Sequence, residues 1–472
     1  MTLAVVGRAQ ESERAASFIA EQVLSFAERM RSHRVAPTLT RTAIRQRLAA
    51  YTFSEPLALT GALEDVTDML AQCTLHGTHP RYLGLFVPNT DEASVWGDTL
   101  ASLYNPQLGA WWHAPAASEI ERHTLQFLAT LLGFEAQSAH FTTGGSEANL
   151  TAVLAAITTA FTNAADEGLG ACSTHARVYV STETHHSLHK AVRIAGLGGR
   201  AISAIPCTRE QQMDVEALRS AIQRDIALGC TPVMIVGTVG TTTAGAIDDL
   251  RALGSIARAF SAWFHVDAAW GGLAAFSPAL RTHLAGIEHA DSVTWDAHKS
   301  LPVPIGAGMF FCRHAGVLDG LLSVNASYVP DLDDGNDDPY RSSLQWSRRF
   351  IGLKVFMSLA VAGRAGMCRR IEQQLRVATY LRGRLDAMGW SIANSSPLPL
   401  VCFTHPRLNT PGAVKRIAER VSMRGHAWIS EAMLPAGPVL RACITHSETN
   451  DTDIDVLCEE LALGLACFGR SA

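Results

Sequence analysis

Between about residue 117 and residue 312, short β-rich runs alternate with longer helical stretches, and few folds accept that pattern. The runs are 177–181, 201–205, 233–238, 263–267, 292–295 and 308–312. Each is short and nearly continuously apolar, which suits strands covered on both faces. Strand alternating with helix predicts an α/β protein with a mainly parallel central sheet, whose ligands bind at the carboxyl ends of the strands.

The flanks read differently. Residues 11–32 place Phe18, Ile19, Val23, Phe26 and Met30 on one helical stripe, and a second amphipathic segment covers 61–73. Neither can form a domain alone, so 1–90 is expected to be a helical arm that packs on another surface, such as a partner subunit. Residues 91–350 form the large domain and 351–472 a small α+β domain. The small domain begins with a long helical stretch after Arg349. It ends with a strand at 439–444 and a helix opened by Thr452-Asp-Ile-Asp455, which has a capping-box form. Order is expected to lapse between Gly320 and Tyr340. The acidic run at 331–339 superficially resembles a calcium loop, but Gly335 falls one position early and Ser342 stands where the closing glutamate belongs. A metal reading is therefore rejected.

Composition excludes several classes of function. A chain of 472 residues with 18% charged side chains is globular and long enough for two or three domains. A net charge of −5 gives no electrostatic footprint for nucleic acid. No apolar run reaches the ~18 residues of a membrane span, and the apolar stretch before Arg8 is too short for a signal peptide, with its charge on the wrong side. Ten scattered cysteines without a CxxC pair suggest reduced thiols in a cytoplasmic protein.

Five motifs follow one another along the alternating region. Phe141-Thr-Thr-Gly-Gly-Ser-Glu-Ala-Asn-Leu150 opens a strong helical pattern, so a phosphate could sit on the backbone of the glycines, near Ser146, at a helix N-terminus. Taken alone, a glycine pair before a helix is more often only a tight turn. Thr184-His-His-Ser-Leu-His-Lys-Ala191 follows a strand, and a histidine there could lie flat on an aromatic cofactor, although any single one of His185, His186 and His189 is more often a surface or satisfied residue. The threonines after Gly240 could bind a carboxylate or serve as ordinary turn residues. Asp267 is a carboxylate inside a strand, which is costly unless a cation pairs with it. Lys299 closes the series in a poorly charged stretch. A lysine amine and a strand-borne carboxylate can together hold pyridoxal phosphate: the amine bonds to the aldehyde, and the carboxylate keeps the pyridine nitrogen protonated.

These strings resemble the group II pyridoxal-phosphate-dependent amino acid decarboxylases, whose members include aromatic amino acid, glutamate and diaminobutyrate decarboxylases. The resemblance runs from about His79 to Gly363. It is carried by His79-Pro-Arg-Tyr82, Ser118-Glu-Ile-Glu121, Thr143-Gly-Gly-Ser-Glu-Ala-Asn149, His185-His-Ser187, Gly240-Thr-Thr242, His265-Val-Asp-Ala-Ala269, Asp296-Ala-His-Lys299 and Ser343-Leu-Gln-Trp-Ser-Arg-Arg349. It implies fold type I, the aspartate aminotransferase-like architecture, and a carboxy-lyase that converts an L-amino acid to its amine and carbon dioxide.

The resemblance also assigns residues. Lys299 matches the lysine bonded to the cofactor, Asp267 the acid on the pyridine nitrogen, and Ala269 the small residue beneath the ring. His185 matches the stacked histidine, Gly145 and Ser146 the phosphate loop, and His298 a further phosphate contact. Thr242 matches a threonine near cofactor and substrate carboxylate. Tyr328 matches a loop tyrosine that returns a proton to the substrate α carbon. The family further implies a homodimer whose partner completes each site.

The segment Asn105-Pro-Gln-Leu-Gly-Ala-Trp-Trp-His-Ala-Pro115 is most similar to bacterial diaminobutyrate-type enzymes, yet Trp112 stands where an acidic residue is common. With Leu85 and Phe86 nearby in sequence, an aromatic or other bulky side chain, a side-chain amine and an acidic substrate remain open. Rival readings are an aminotransferase, an aldehyde-forming relative, or a non-catalytic protein that keeps the fold.

Overall fold

The computed structural model describes residues 2–171, 175–323 and 338–466. Its centre is a sheet of seven strands: β1 (Ser138–Thr142), β2 (Ala176–Ser181), β3 (Ile202–Ile205), β4 (Thr231–Thr238), β5 (Trp263–Asp267), β6 (Ser292–Asp296) and β7 (Gly308–Cys312). They lie side by side in the order β1-β7-β6-β5-β4-β2-β3. Neighbours from β6 to β3 are parallel, and β7 alone runs against its neighbours. The mainly parallel sheet expected from the alternation is therefore present. β1 was not expected from the sequence. Its buried His140 interrupts the apolar pattern, and its place is set only by pairing with β7.

Helices cover both faces. The helices Pro115–Leu132, Val215–Ala227 and Leu250–Ala259 pack on one face, around Phe264, Val266, Val293 and Trp295. The helices Gly145–Ala160 and His186–Ile194 pack on the other, around Val178, Val180, Met234 and Val236. Side chains alternate along a strand, so β5 sends Phe264 and Val266 to the first face and Trp263, His265 and Asp267 to the second. β6 likewise sends Ser292, Thr294 and Asp296 to the second face. The runs that look uniformly apolar thus carry a row of polar groups on one side.

A second, antiparallel sheet has the order β10-β11-β9-β8, with β8 at Ser391–Ile392, β9 at Leu400–Thr404, β10 at Ser430–Leu434 and β11 at Gly437–Cys443. It packs with the helices Gly352–Ala387, Ala413–Arg424 and Asp451–Ala466 around Phe403, Ile417, Leu440 and Leu457. The last helix begins one position before Thr452. Its capping box joins Asn450 and Asp453, each backbone N–H donating to the other's side chain at 3.2 Å. Asparagine accepts this bond as well as threonine does, and it precedes the first helical residue.

A buried ion pair ties the helix Pro115–Leu132 to the chain that leads into the helix Gly352–Ala387. Arg348 Nη1 lies 2.8 Å from Glu121 Oε2, both side chains are 3% exposed, and the N–H of Gly352 donates to Glu121 Oε1 at 2.9 Å. Removing one partner strands a charge, so Arg348→Leu should lower the unfolding free energy by ~3–5 kcal/mol in urea titration. A change below ~1 kcal/mol would show that the pair is dispensable.

Buried histidines set a pH dependence. Burial pushes His265 from 6.5 down to about 4, and His79, His140 and His446 down to about 3. The folded chain keeps them neutral while the unfolded chain protonates them, so their contribution is full above 6.5 and is lost as pH falls below it. Two buried acids act in the opposite sense: Asp248 is raised from 3.8 to about 6, and Glu121 is raised as well. Four histidines outweigh two acids. A net stability loss on the order of 1–3 kcal/mol is expected between pH 7 and pH 5 by urea titration. A flat or rising profile over that interval contradicts this assignment.

Candidate functional site

The polar rows of β5 and β6 end together at the carboxyl edge of the sheet. Register pairs Thr238 with Asp267 across β4 and β5, and Asp267 with Thr294 across β5 and β6. Lys299 follows β6 in one short helical turn, Ala297–Ser300. His185, at the N-cap of the helix His186–Ile194, approaches the same edge from β2. Asp267, Lys299, His186 and Asp296 all lie close enough to act electrostatically on His185.

Asp267 is 5% exposed. Its Oδ1 accepts from the N–H of Ala269 at 3.0 Å, and its Oδ2 from Asn149 Nδ2 at 3.0 Å. Among the described residues no lysine, arginine or histidine lies within ion-pair distance of it. A buried carboxylate with two neutral donors and no cation is an expensive arrangement unless a cation arrives from outside. A protonated pyridine nitrogen is such a cation.

Lys299 Nζ lies 2.7 Å from Asp296 Oδ2, and the two side chains are 26% and 1% exposed. The amine is thus held at the turn beside the glycines. Gly145 begins the helix Gly145–Ala160, and a Cβ placed there would fall 2.9 Å from Asp296 Oδ2. Its close approach therefore requires glycine. The N–H of Glu147 already bonds to the carbonyl of Gly144 at 3.0 Å, so among the described residues the N–H groups of Gly145 and Ser146 are the ones at this helix N-terminus that suit an anion. Ser146 is exposed beside them. His298 borders the same turn, its Cε1 lying 3.5 Å from the position of a Cβ on Gly144, and its Nδ1 accepts from the N–H of Ala307 at 3.2 Å. Burial lowers its pKa, with Asp296 acting in the opposite direction.

His185 Nδ1 accepts from the N–H of Ser187 at 3.3 Å and lies 2.8 Å from Ser187 Oγ. Burial lowers its pKa below the ordinary histidine value, opposed by Asp267 and assisted by Lys299. A neutral imidazole can lie on a cationic ring without charge repulsion. Ala269 is half-buried next to Asp267. Thr242 sits exposed in the loop after β4, where Gly240 takes φ +86° and bonds to the carbonyl of Ala246. Among the described residues it makes no hydrogen bond to any other expected site residue. Tyr328 and the acidic run at 331–337 lie outside the described residues.

Three groups escaped the sequence reading. Asp296 is three residues before Lys299, and that spacing was a legible signal. Asn149 was quoted only as the end of a glycine motif. Arg441, on β11, is 3% exposed. Its Nη1 donates to the carbonyl of Gly84 at 2.7 Å and to Ser430 Oγ at 3.2 Å, while Nε and Nη2 are buried without a hydrogen-bond partner among the described residues. The guanidinium lies 4.7 Å from the centre of the Phe86 ring, which stacks at 4.2 Å on Trp270, three residues beyond Asp267.

The pyridoxal-dependent decarboxylase conserved domain matches residues 43–405. An aromatic-L-amino-acid decarboxylase of Bacillus atrophaeus is 28% identical over 414 residues, 84% of either chain. An L-2,4-diaminobutyrate decarboxylase of Rhizobium meliloti is 32% identical over 347 residues, 72% of this chain and 67% of that one. The structure of Oryza sativa TDC with PLP and tryptamine superposes with a TM-score of 0.90 at 25% identity, covering 97% of each chain. The chain belongs to the pyridoxal-dependent decarboxylase family. It is a fold type I enzyme with pyridoxal phosphate as its cofactor, and it acts as a carboxy-lyase on amino acids.

Proposed function

We propose that this chain converts an L-amino acid to the corresponding amine and carbon dioxide, with Lys299, Asp267, His185 and Tyr328 as its catalytic residues. The observation that carries the proposal is the buried carboxylate of Asp267, which has no cation beside it among the described residues and sits on the strand paired with the one that leads into Lys299. Bound pyridoxal phosphate supplies a ring that accepts the electron pair left on the substrate α carbon when carbon dioxide departs.

The chain's own groups do the rest. Lys299 would hold the cofactor through its amine. Asp267 would keep the proton on the ring nitrogen. His185 would lie over the ring as a neutral imidazole, and Ala269 would leave room beside it. Gly145 and Ser146 would bind the phosphate through backbone N–H and hydroxyl, and His298 would add a donor. Thr242 lies near cofactor and substrate carboxylate. Tyr328, assigned by family resemblance, returns a proton to the α carbon. Arg441 is the group we assign to the substrate carboxylate: among the described residues it is a buried cation without an acidic partner, with two donor atoms unsatisfied.

The unit is proposed to be a homodimer. Ile19, Leu24 and Phe26 on the helix Thr2–Ser32, and Leu103 and Tyr104 at the end of the helix Glu92–Tyr104, are exposed apolar groups that a second copy would cover. As the family resemblance implies, the partner would complete each site. The proposed division remains an arm over 1–90, a large cofactor-binding domain over 91–350 and a small domain over 351–472. A cytoplasmic setting suits the cysteines, which are all free among the described residues.

A panel of L-amino acids assayed for both carbon dioxide and product tests the proposal. Equal yields of carbon dioxide and amine are expected for at least one substrate, and aldehyde with ammonia, or keto acid without carbon dioxide, contradicts it. Tyr328→Phe should slow amine formation by about 10²-fold and divert some product to aldehyde. Unchanged amine output with no aldehyde removes Tyr328 from its role. Arg441→Gln should raise KM about tenfold or more with a smaller change in kcat. An unchanged KM shows that the carboxylate is bound elsewhere.

A further inference from the structure

Behind the site, on the polar face of β5 and β6, one buried amide meets four partners. Asn149, in the second turn of the helix Gly145–Ala160, is 1% exposed. Its Oδ1 accepts from Thr294 Oγ1 at 2.8 Å and lies 3.0 Å from His265 Nε2. Its Nδ2 donates to Asp267 Oδ2 at 3.0 Å and to Ser187 Oγ at 2.9 Å. A side-chain amide offers two donors and two acceptor sites, and all four are used.

The directions of these bonds follow from one another. His265 faces an amide oxygen through Nε2, so Nε2 carries the proton and Nδ1 accepts. Nδ1 lies 2.8 Å from Ser292 Oγ, which can therefore give its hydroxyl proton to the imidazole while accepting from Trp263 Nε1 at 2.8 Å. Turning the amide over would set its NH2 group against the Thr294 and His265 donors and its oxygen against the Asp267 carboxylate. The amide is thereby locked in one orientation. On the far side, Ser187 Oγ accepts from Asn149 and is left with its own proton to give to His185 Nδ1. His185, when neutral, must then hold its proton on Nε2.

We propose that Asn149 is a positioning residue that joins the acid at the cofactor's ring nitrogen to the histidine over the cofactor's ring face. It aims one oxygen of Asp267 and, through Ser187, fixes the tautomer of His185. The other helix positions around it are Ala148, Ala152 and Val153, all buried, so an apolar side chain would have served the packing alone. An amide here instead satisfies donors and acceptors from three elements, and each needs it in this orientation. The inference rests on the roles proposed above for Asp267 and His185.

The test compares two cofactors on the full chain. Pyridoxal phosphate presents a ring nitrogen to Asp267; the analogue with carbon in its place does not. Affinity is read by titration without turnover. Asn149→Ala should weaken pyridoxal phosphate about tenfold, the worth of one hydrogen bond to a charged group, and weaken the carbon analogue less than twofold. Thr294→Val, which removes one donor to the amide oxygen and keeps the side-chain volume, should show the same selectivity at a threefold loss or more. It decides the matter should Asn149→Ala not fold. Equal losses for both cofactors, or no loss for either, overturn the positioning role of Asn149. A wild-type chain that binds neither cofactor overturns instead the roles given to Asp267 and His185.

Discussion

A carboxylate buried without a cation organises this molecule. Asp267 sits at the end of an inner strand, 5% exposed, with only two neutral N–H donors for its two oxygens. Such a charge is tolerated in a protein interior only when something offsets its lost hydration. Among the described residues no partner cation is supplied, and little of the carboxylate reaches the surface. The site is therefore built to be completed by a cationic ring, and the family to which the chain belongs is defined by a cofactor that provides one.

The sheet makes this possible through alternation and register. Phe264 and Val266 anchor β5 on one face, while Trp263, His265 and Asp267 look the other way. β6 repeats the division with Val293 and Trp295 against Ser292, Thr294 and Asp296. The apolar face fixes the strands in place. The polar face uses that fixed spacing to place an acid, an amide-binding imidazole and a threonine around Asn149. Lys299 needs only one further turn to reach the same edge, and Asp296 holds its amine there at 2.7 Å. The antiparallel sheet contributes from the opposite side, where Arg441 rests on the ring of Phe86 and Phe86 on Trp270.

Much of this was legible in the amino-acid order, and what was not has identifiable reasons. The six strands with continuous apolar runs were found because both faces of a central strand exclude charge. β1 was missed because its middle residue is histidine, and β9 because Leu400-Val-Cys-Phe-Thr404 stands among prolines and turns that obscure it. The cap of the last helix was misplaced by two residues because Asn450 and Thr452 both offer suitable oxygens, and only the backbone geometry chooses between them. Lys299 and Asp267 were readable because a lysine and an aspartate in apolar strings are locally anomalous. Asn149 was not, since its importance depends on the register between β5 and β6, which no local pattern carries. Arg441 looked like an ordinary residue in an amphipathic strand. Its isolation from any acid is a property of the packed molecule.

The most direct measurement is borohydride reduction of the cofactor-loaded chain, followed by peptide mass mapping. One pyridoxyl group per chain, carried on the peptide that contains Lys299, is the expected result. Modification of a different lysine, or a chain that takes up no label, would contradict the placement of the cofactor between Lys299 and Asp267.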